Sequence, residues 1–298
     1  MTTLTAGATA APARPAPRRR PSPRTAGRTL VRRSLIGLLL LVEVGPLLWL
    51  LLGSLKSQRD WLDNPTWSLP TSLQWGNYAE AWTTGNIAQY LQNSLVAVLP
   101  SLAMIIAFGV AAGFALEVLV WKGRGPVLLL FLAGIMVPGQ MILLPLFNTY
   151  FRAGLTGTLW PLILTYTATG LPLTVFMMAT YFRAVPREVF EAATLDGASV
   201  VRAFFSVAVP MVKNAIVTVG LVQFFFIWND LLIALTFTTD SSLRTVQVGL
   251  LNFTGEFGAT QYGPLFAAIC INVLGLLAIY LFLNQRIMAG LTSGAVKG

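Results

Sequence analysis

The segment Arg183–Lys213 reads RAVPREVFEAATLDGASVVRAFFSVAVPMVK and lies between two long apolar runs. Pro186 suits the first turn of a helix, where its missing N–H is not needed. Glu188 and Glu191 then fall near that helix's positive end. Gly197 offers a stop and a turn that glycine makes at low steric cost. Ser199 can cap a second short helix, and Pro210 ends it before the next apolar run. The segment therefore reads as a helix–turn–helix lying along a membrane surface. Val189, Phe190, Ala193, Phe204, Phe205 and Val207 give it apolar faces, and Ala192, Ala193 and Ala198 keep its bend small. Such a hairpin can dock into a groove on a partner protein or rest on lipid headgroups; the physics of the segment leaves both open.

The surrounding chain sets the solvent. It has 298 residues, 55% hydrophobic and only 10% charged, against roughly 25% charged in a soluble domain. A span needs about 20 consecutive apolar residues. Six stretches qualify: Ser34–Leu55, Ser94–Leu119, Pro126–Tyr150, Thr158–Tyr181, Ala215–Phe237 and Pro264–Leu283. The first continues well past the roughly 7–15 residues of a signal h-region and is expected to be an uncleaved span. Two connections are long, Lys56 to Asn93 and Phe182 to Asn214, and Thr238 to Gly263 reads as a re-entrant or surface loop. No internal repeat is visible.

Charge gives the orientation. Of 20 Lys and Arg, only Lys56, Arg59, Arg152 and Arg244 lie on one side of the expected spans. The others fall on the side of the termini and of the 183–213 hairpin, which is therefore expected to be cytoplasmic. Eight of them, Arg14, Arg18, Arg19, Arg20, Arg24, Arg28, Arg32 and Arg33, occupy residues 1–33. That stretch is Ala/Pro-rich and is expected to be a disordered cytoplasmic anchor near anionic lipid rather than a nucleic-acid arm. There is no histidine and one cysteine, so a Cys/His metal site and an intramolecular disulfide are excluded. Cys270 reads as a small buried hydrophobe.

One resemblance covers most of the chain beyond the tail. Glu191-Ala192-Ala193, three residues, Gly197, nine residues and Val207-Ala208-Val209-Pro210 resemble the EAA motif of ABC importer permeases. Asp196-Gly197-Ala198 matches the carbohydrate-importing branch. PLLWLLLGSLKSQRDW from Pro46 to Trp61, Asn77-Tyr78, Asn93-Ser94, Val137-Pro138-Gly139-Gln140, Trp228-Asn229-Asp230 and the closing QRIMAGLTSGAVKG resemble the maltose-type, MalG-like permeases. Val207 and Val209 stand where the family usually has Ile and Leu. Gly275-Leu276 replaces a usual proline, and Glu117 an often basic residue.

The resemblance implies an all-α integral membrane protein with six transmembrane helices and the type I (MetI-like) importer fold over residues 34–298. It makes 182–214 the coupling loop, with Glu191, Ala192, Ala193, Asp196, Gly197, Ala198 and Pro210 contacting an ATPase. The C-terminal tail, with Gly290, Gly294 and Lys297, would also reach that ATPase. The implied partners are a second permease subunit, two ATPase subunits and an extracytoplasmic solute-binding protein. The solute would be a sugar or sugar-like molecule. ATP and Mg would sit on the ATPases, with no cofactor on this chain.

Polar groups within spans are costly and become candidates for a solute path. Trp228, Asn229, Asp230 and Gln140 are read as that path. A Trp face beside hydrogen-bonding groups suits a sugar ring. The alternative, ordinary bonding between spans, is favoured for Gln140 and Asn272. Glu43 can pair with the other permease subunit or be protonated. Gly109 and Gly113 read as close helix packing. The chain lacks G-x-x-x-x-G-K-[ST] and H-E-x-x-H, so ATP hydrolysis is expected elsewhere. A self-sufficient carrier or channel would need a charged relay at mid-depth, and a membrane enzyme a nucleophile or base in a span; neither pattern is evident.

Overall fold

Apolar runs of 20 residues or more cannot leave backbone N–H and C=O groups unpaired in lipid, so they close into helices. The computed structural model describes residues 32–255 and 259–281, together with the helical backbone that extends outward to Pro23 and to Ala295. Among them no strand forms; a lone antiparallel bridge joins Thr254 and Thr260.

Helix α1 covers Pro23–Ser54. Its helical backbone takes in Arg24, Arg28, Arg32 and Arg33. Extending an existing helix needs no new nucleus. The stretch up to Trp49 is a unit by itself, with Leu35, Leu38, Leu39, Leu40, Leu41 and Leu48 exposed, as suits a helix whose solvent is apolar.

The second unit holds the rest of the chain. After Ser54 come α2 (Gln58–Asp63) and α3 (Gly76–Trp82). The span α4 runs Ile87–Glu117, beginning before the expected Ser94. It packs along α7 (Trp160–Arg183). An added Cβ on Gly113 would fall 2.7 Å from that of Met178, and one on Gly109 would strike Thr174. The close approach read from these glycines is present.

Two expected spans are broken. Residues 126–150 form α5 (Arg124–Ile135) and α6 (Gly139–Arg152), bent by 95°. Pro138 lacks an N–H and is extended at ψ 121°, which ends one helix and starts another. The expected Ala215–Phe237 divides into α11 (Lys213–Trp228) and α12 (Leu232–Phe237). Sixteen residues at about 1.5 Å each fall short of a roughly 30 Å hydrocarbon core. Among the described residues four helices are each long and apolar enough to cross a membrane, and the expected count of six is reached when two bent pairs, α5 with α6 and residues 200–211 with α11, each count as one span.

Two cores result. The larger joins Tyr90, Val98 and Ile105 of α4 to Leu162 and Tyr166 of α7, Phe224 and Trp228 of α11, and Ala267 and Ala268 of α14 (Tyr262–Ala295). Residues 238–255 pack into it through α13 (Val246–Gly249), where Val246 and Val248 are fully buried. A second core gathers Val110, Phe114, Met178, Phe182, Ala208, Val212 and Val219 beneath the 183–213 hairpin. Cys270 is buried, as read from sequence.

Candidate functional site

The hairpin begins with α8 (Arg187–Leu195), with Pro186 just outside the helix at its N-cap. The helix stops in a Schellman turn. The N–H of Gly197 donates to the Thr194 carbonyl at 3.0 Å, and that of Ala198 to Ala193 at 3.0 Å. The turn requires a left-handed residue, and Gly197 supplies φ +77°. Ser199 accepts from the N–H of Arg202 and caps α9 (Val200–Ala203). The return arm widens into a π-helical turn over Phe204–Ala208 before α10 (Val209–Met211). Pro210 lies in α10, has no N–H to give Ser206, and crowds that carbonyl, which favours the wider turn. Pro210 does not end the arm as expected. The break falls at Val212, and the arm meets α11 at 75°.

Rings tie the hairpin to the spans. Phe114 of α4 lies 5.7 Å from Phe182 of α7, 6.0 Å from Phe190 of α8 and 5.2 Å from Phe204 (centroid distances). Each such pair adds about 0.5–1.5 kcal/mol beyond burial. Arg183 of α7 grips Glu117 of α4 through two hydrogen bonds, of 3.1 and 2.9 Å. The Arg183 side chain is 65% exposed, so the pair is worth at most about 1 kcal/mol. The acid at position 117, a departure from the family pattern, thus meets a basic partner. A cavity of about 360 Å³ remains between the hairpin and these helix ends, lined by Phe114, Glu117, Arg183, Phe190, Glu191 and Thr194 among others.

The tip faces outward. Glu191, Ala192, Asp196 and Gly197 are exposed, while Ala193 and Ala198 are half-buried at the bend. Leu195 is 89% exposed, and Val200, Val201 and Phe205 are also open. The structure therefore brings Glu191, Ala192, Ala193, Asp196, Gly197 and Ala198 together. It places Pro210 apart from them, exposed on the return arm.

The second group lies at the break after α11. Asp230 takes the O–H of Tyr166 at 2.9 Å and the N–H groups of Ala234 at 3.0 Å and Ile233 at 3.4 Å. Its carboxylate thereby caps the restarting α12, as an acid suits a helix N-terminus. Asn229 is exposed and bonds to the Phe225 carbonyl and to Gln247. Trp228 points the other way. It is 5% exposed, and its indole N–H donates to Asn272 at 2.9 Å. Its surroundings are core, and Asn272 bonds between helices as the sequence reading favoured. Gln140 begins α6, is exposed, and makes no hydrogen bond to these three residues. Gly290, Gly294 and Lys297 lie outside the residues whose surroundings are described.

Beside Asp230, two buried residues went unread in the sequence, Tyr166 and Gln223. Gln223 stands seven positions before Asp230, the spacing of one face had the expected 215–237 helix been continuous. That spacing was the available signal. Phe114 and Phe182 were likewise missed, because a ring in an apolar run carries no mark of its partner.

Long apolar helices, with breaks capped by a carboxylate and a ring-anchored hairpin, describe an α-helical membrane protein. A sequence profile of the "binding-protein-dependent transport system inner membrane component" family matches residues 105–288. The chain is 33% identical over 268 residues to the diacetylchitobiose uptake system permease protein NgcG of Streptomyces coelicolor, covering 90% of this chain and 88% of that one. It is also 33% identical to the trehalose transport system permease protein SugB of Mycobacterium tuberculosis, over 85% of this chain and 92% of that one. A solved bacterial ABC transporter involved in importing the acidic polysaccharide alginate shares the fold. Its matching chain superposes with a TM-score of 0.75 at 17% identity, over 90% of this chain and 99% of that one. The chain belongs to the binding-protein-dependent transport system inner membrane components, the permease subunits of ABC importers.

Proposed function

We propose that this chain moves a sugar or sugar-like solute into the cytoplasm by alternating access, driven by a separate ATPase through the 183–213 hairpin. The observation that carries this reading is the hairpin's two-sided construction. Its inner face, Phe190 and Phe204, packs on the ring of Phe114 between the ends of α4 and α7. Its outer tip leaves Glu191, Leu195 and Asp196 free for another protein. A push on the tip therefore reaches two spans directly.

In this scheme ATP and Mg bind two ATPase subunits, and this chain holds no cofactor. A second permease subunit completes the path, and an extracytoplasmic solute-binding protein delivers the solute. The protein lies in a bacterial inner or plasma membrane with both termini cytoplasmic. Closure of the ATPase pair carries the tip inward, the spans open outward, and hydrolysis resets them. Sugar is supported by the permeases this chain resembles. Of the expected path residues, Asp230 and Asn229 stay in the proposal. Trp228 is read as a packing residue, and Gln140 has no geometric tie to them.

Gly197 provides the test. A Cβ there would meet nothing within 4 Å, so substitution acts through backbone strain of about 1–3 kcal/mol. Gly197→Val should lower labelled-sugar uptake at least tenfold and reduce co-purification of the ATPase. Gly197→Asn, which tolerates a left-handed backbone, should retain more of both. Glu191→Lys should also weaken ATPase attachment. Undiminished attachment and uptake in Gly197→Val and Glu191→Lys would remove the coupling role.

A further inference from the structure

We propose that a cavity of about 190 Å³ beside Asp230 is a solute subsite that accepts hydrogen bonds from the hydroxyls of a sugar ring. The proposal rests on the sugar-importer reading and adds the residues that would touch the solute.

The cavity lies between α7 and α11 and is lined by Tyr166, Thr169, Gly170, Gln223, Phe226 and Asp230, among others. At about 30 Å³ per water it has room for about six. Its protons are already committed elsewhere. Tyr166 gives its O–H to Asp230. Thr169 gives its hydroxyl proton to the Thr165 carbonyl at 2.8 Å. Gln223, 3% exposed, spends its amide protons on the Gly170 carbonyl at 3.0 Å and on the Thr174 hydroxyl at 2.9 Å.

What remains is acceptor capacity. The amide oxygen of Gln223 receives no hydrogen bond from the described residues. Asp230 Oδ1 receives only the 3.4 Å contact from Ile233, and the Thr169 oxygen keeps its lone pairs. These acceptors are open to water, so a ligand that supplies donors can take the place of that water. Gly170 keeps the geometry: a Cβ there would lie 3.2 Å from the Gln223 oxygen and 2.6 Å from Ile105. At the rim, Phe226 is 64% exposed and offers an apolar face.

A ligand suited to these walls donates several hydrogen bonds and carries an apolar face of its own. A pyranose ring does both. An anionic solute is disfavoured by the Asp230 carboxylate.

The test uses the full transporter in membranes, with labelled trehalose and diacetylchitobiose as probes. Thr169→Cys places a thiol at the exposed edge of the cavity, and the native Cys270 is buried. A transported sugar should slow labelling of that thiol by a membrane-permeant maleimide at least threefold. Gln223→Met, which removes the acceptor and keeps the length, should lower maximal uptake about three- to tenfold, normalised to the assembled complex. The concentration for half-maximal uptake, set by the binding protein, should stay unchanged. If the wild type takes up neither these two nor any other mono-, di- or oligosaccharide offered in their place, the sugar-importer reading falls and the subsite with it. If it transports them while Thr169→Cys is not protected and Gln223→Met retains full rate, the subsite alone is overturned. Protection by choline and by no sugar would overturn it in favour of a cation site.

Discussion

The two ends of the span bundle are held by different forces. At the hairpin end, Phe114, Phe182, Phe190 and Phe204 form a cluster of rings, and the ion pair there is exposed on its Arg183 side. At the opposite end, directional bonds fix the segments between spans. Lys56 is buried, and its ammonium reaches the Pro65 and Thr66 carbonyls and the Ser68 hydroxyl at 3.4, 3.2 and 3.0 Å, 5.0 Å above the ring of Trp61. Asn77 donates to the carbonyls of Ser54 and Lys56. Asn93 donates to those of Ser242 and Arg244, and Ser94 accepts from the N–H of Val246. The hydrophobic part of ring packing is non-directional. A buried carbonyl that loses its donor costs stability. One end is packed by rings and the other is pinned by hydrogen bonds.

That contrast can be broken by measurement. The largest effect is expected for Phe114→Ala, which empties the centre of the ring cluster and should cost about 3–5 kcal/mol, read as a lower unfolding temperature in detergent. Asn77→Leu should cost about 1–3 kcal/mol, because it strands two carbonyls. Glu117→Gln should change stability by no more than about 1 kcal/mol, and a larger loss would show that the hairpin end is pinned after all.

Acid supplies the smallest and most local probe. Asp60 is held below its ordinary value of 3.8, chiefly by the hydrogen bond from the Thr71 hydroxyl. Its contribution is therefore complete above that value and is lost as pH falls through the lower folded-state value. Protease access to residues 57–75 should stay constant from about pH 8 to about pH 5 and rise only below about pH 4. A rise near neutrality would show that Asp60 does not secure the segment.

The sequence alone determined the solvent, the helical class, the hairpin and its left-handed turn, because each depends on local chemistry. Apolar length decides membrane insertion, and the φ demanded after α8 decides Gly197. Gly109 and Gly113 were legible for the same reason. Asn77 and Asn93 were visible as signatures, but not the carbonyls they hold, one set about twenty residues away and the other about a hundred and fifty. Pro138 was in plain view, yet whether it kinks a span or bends it by 95° depends on what packs around the freed carbonyls. Trp228 reads as a path residue from sequence, but its N–H is held by Asn272, and the ties of Gln223 to Gly170 and Thr174 leave no sign in the sequence. Tertiary structure decided these, because a hydrogen bond between distant positions is set by the packing of whole helices, and one chain position carries no record of its partner.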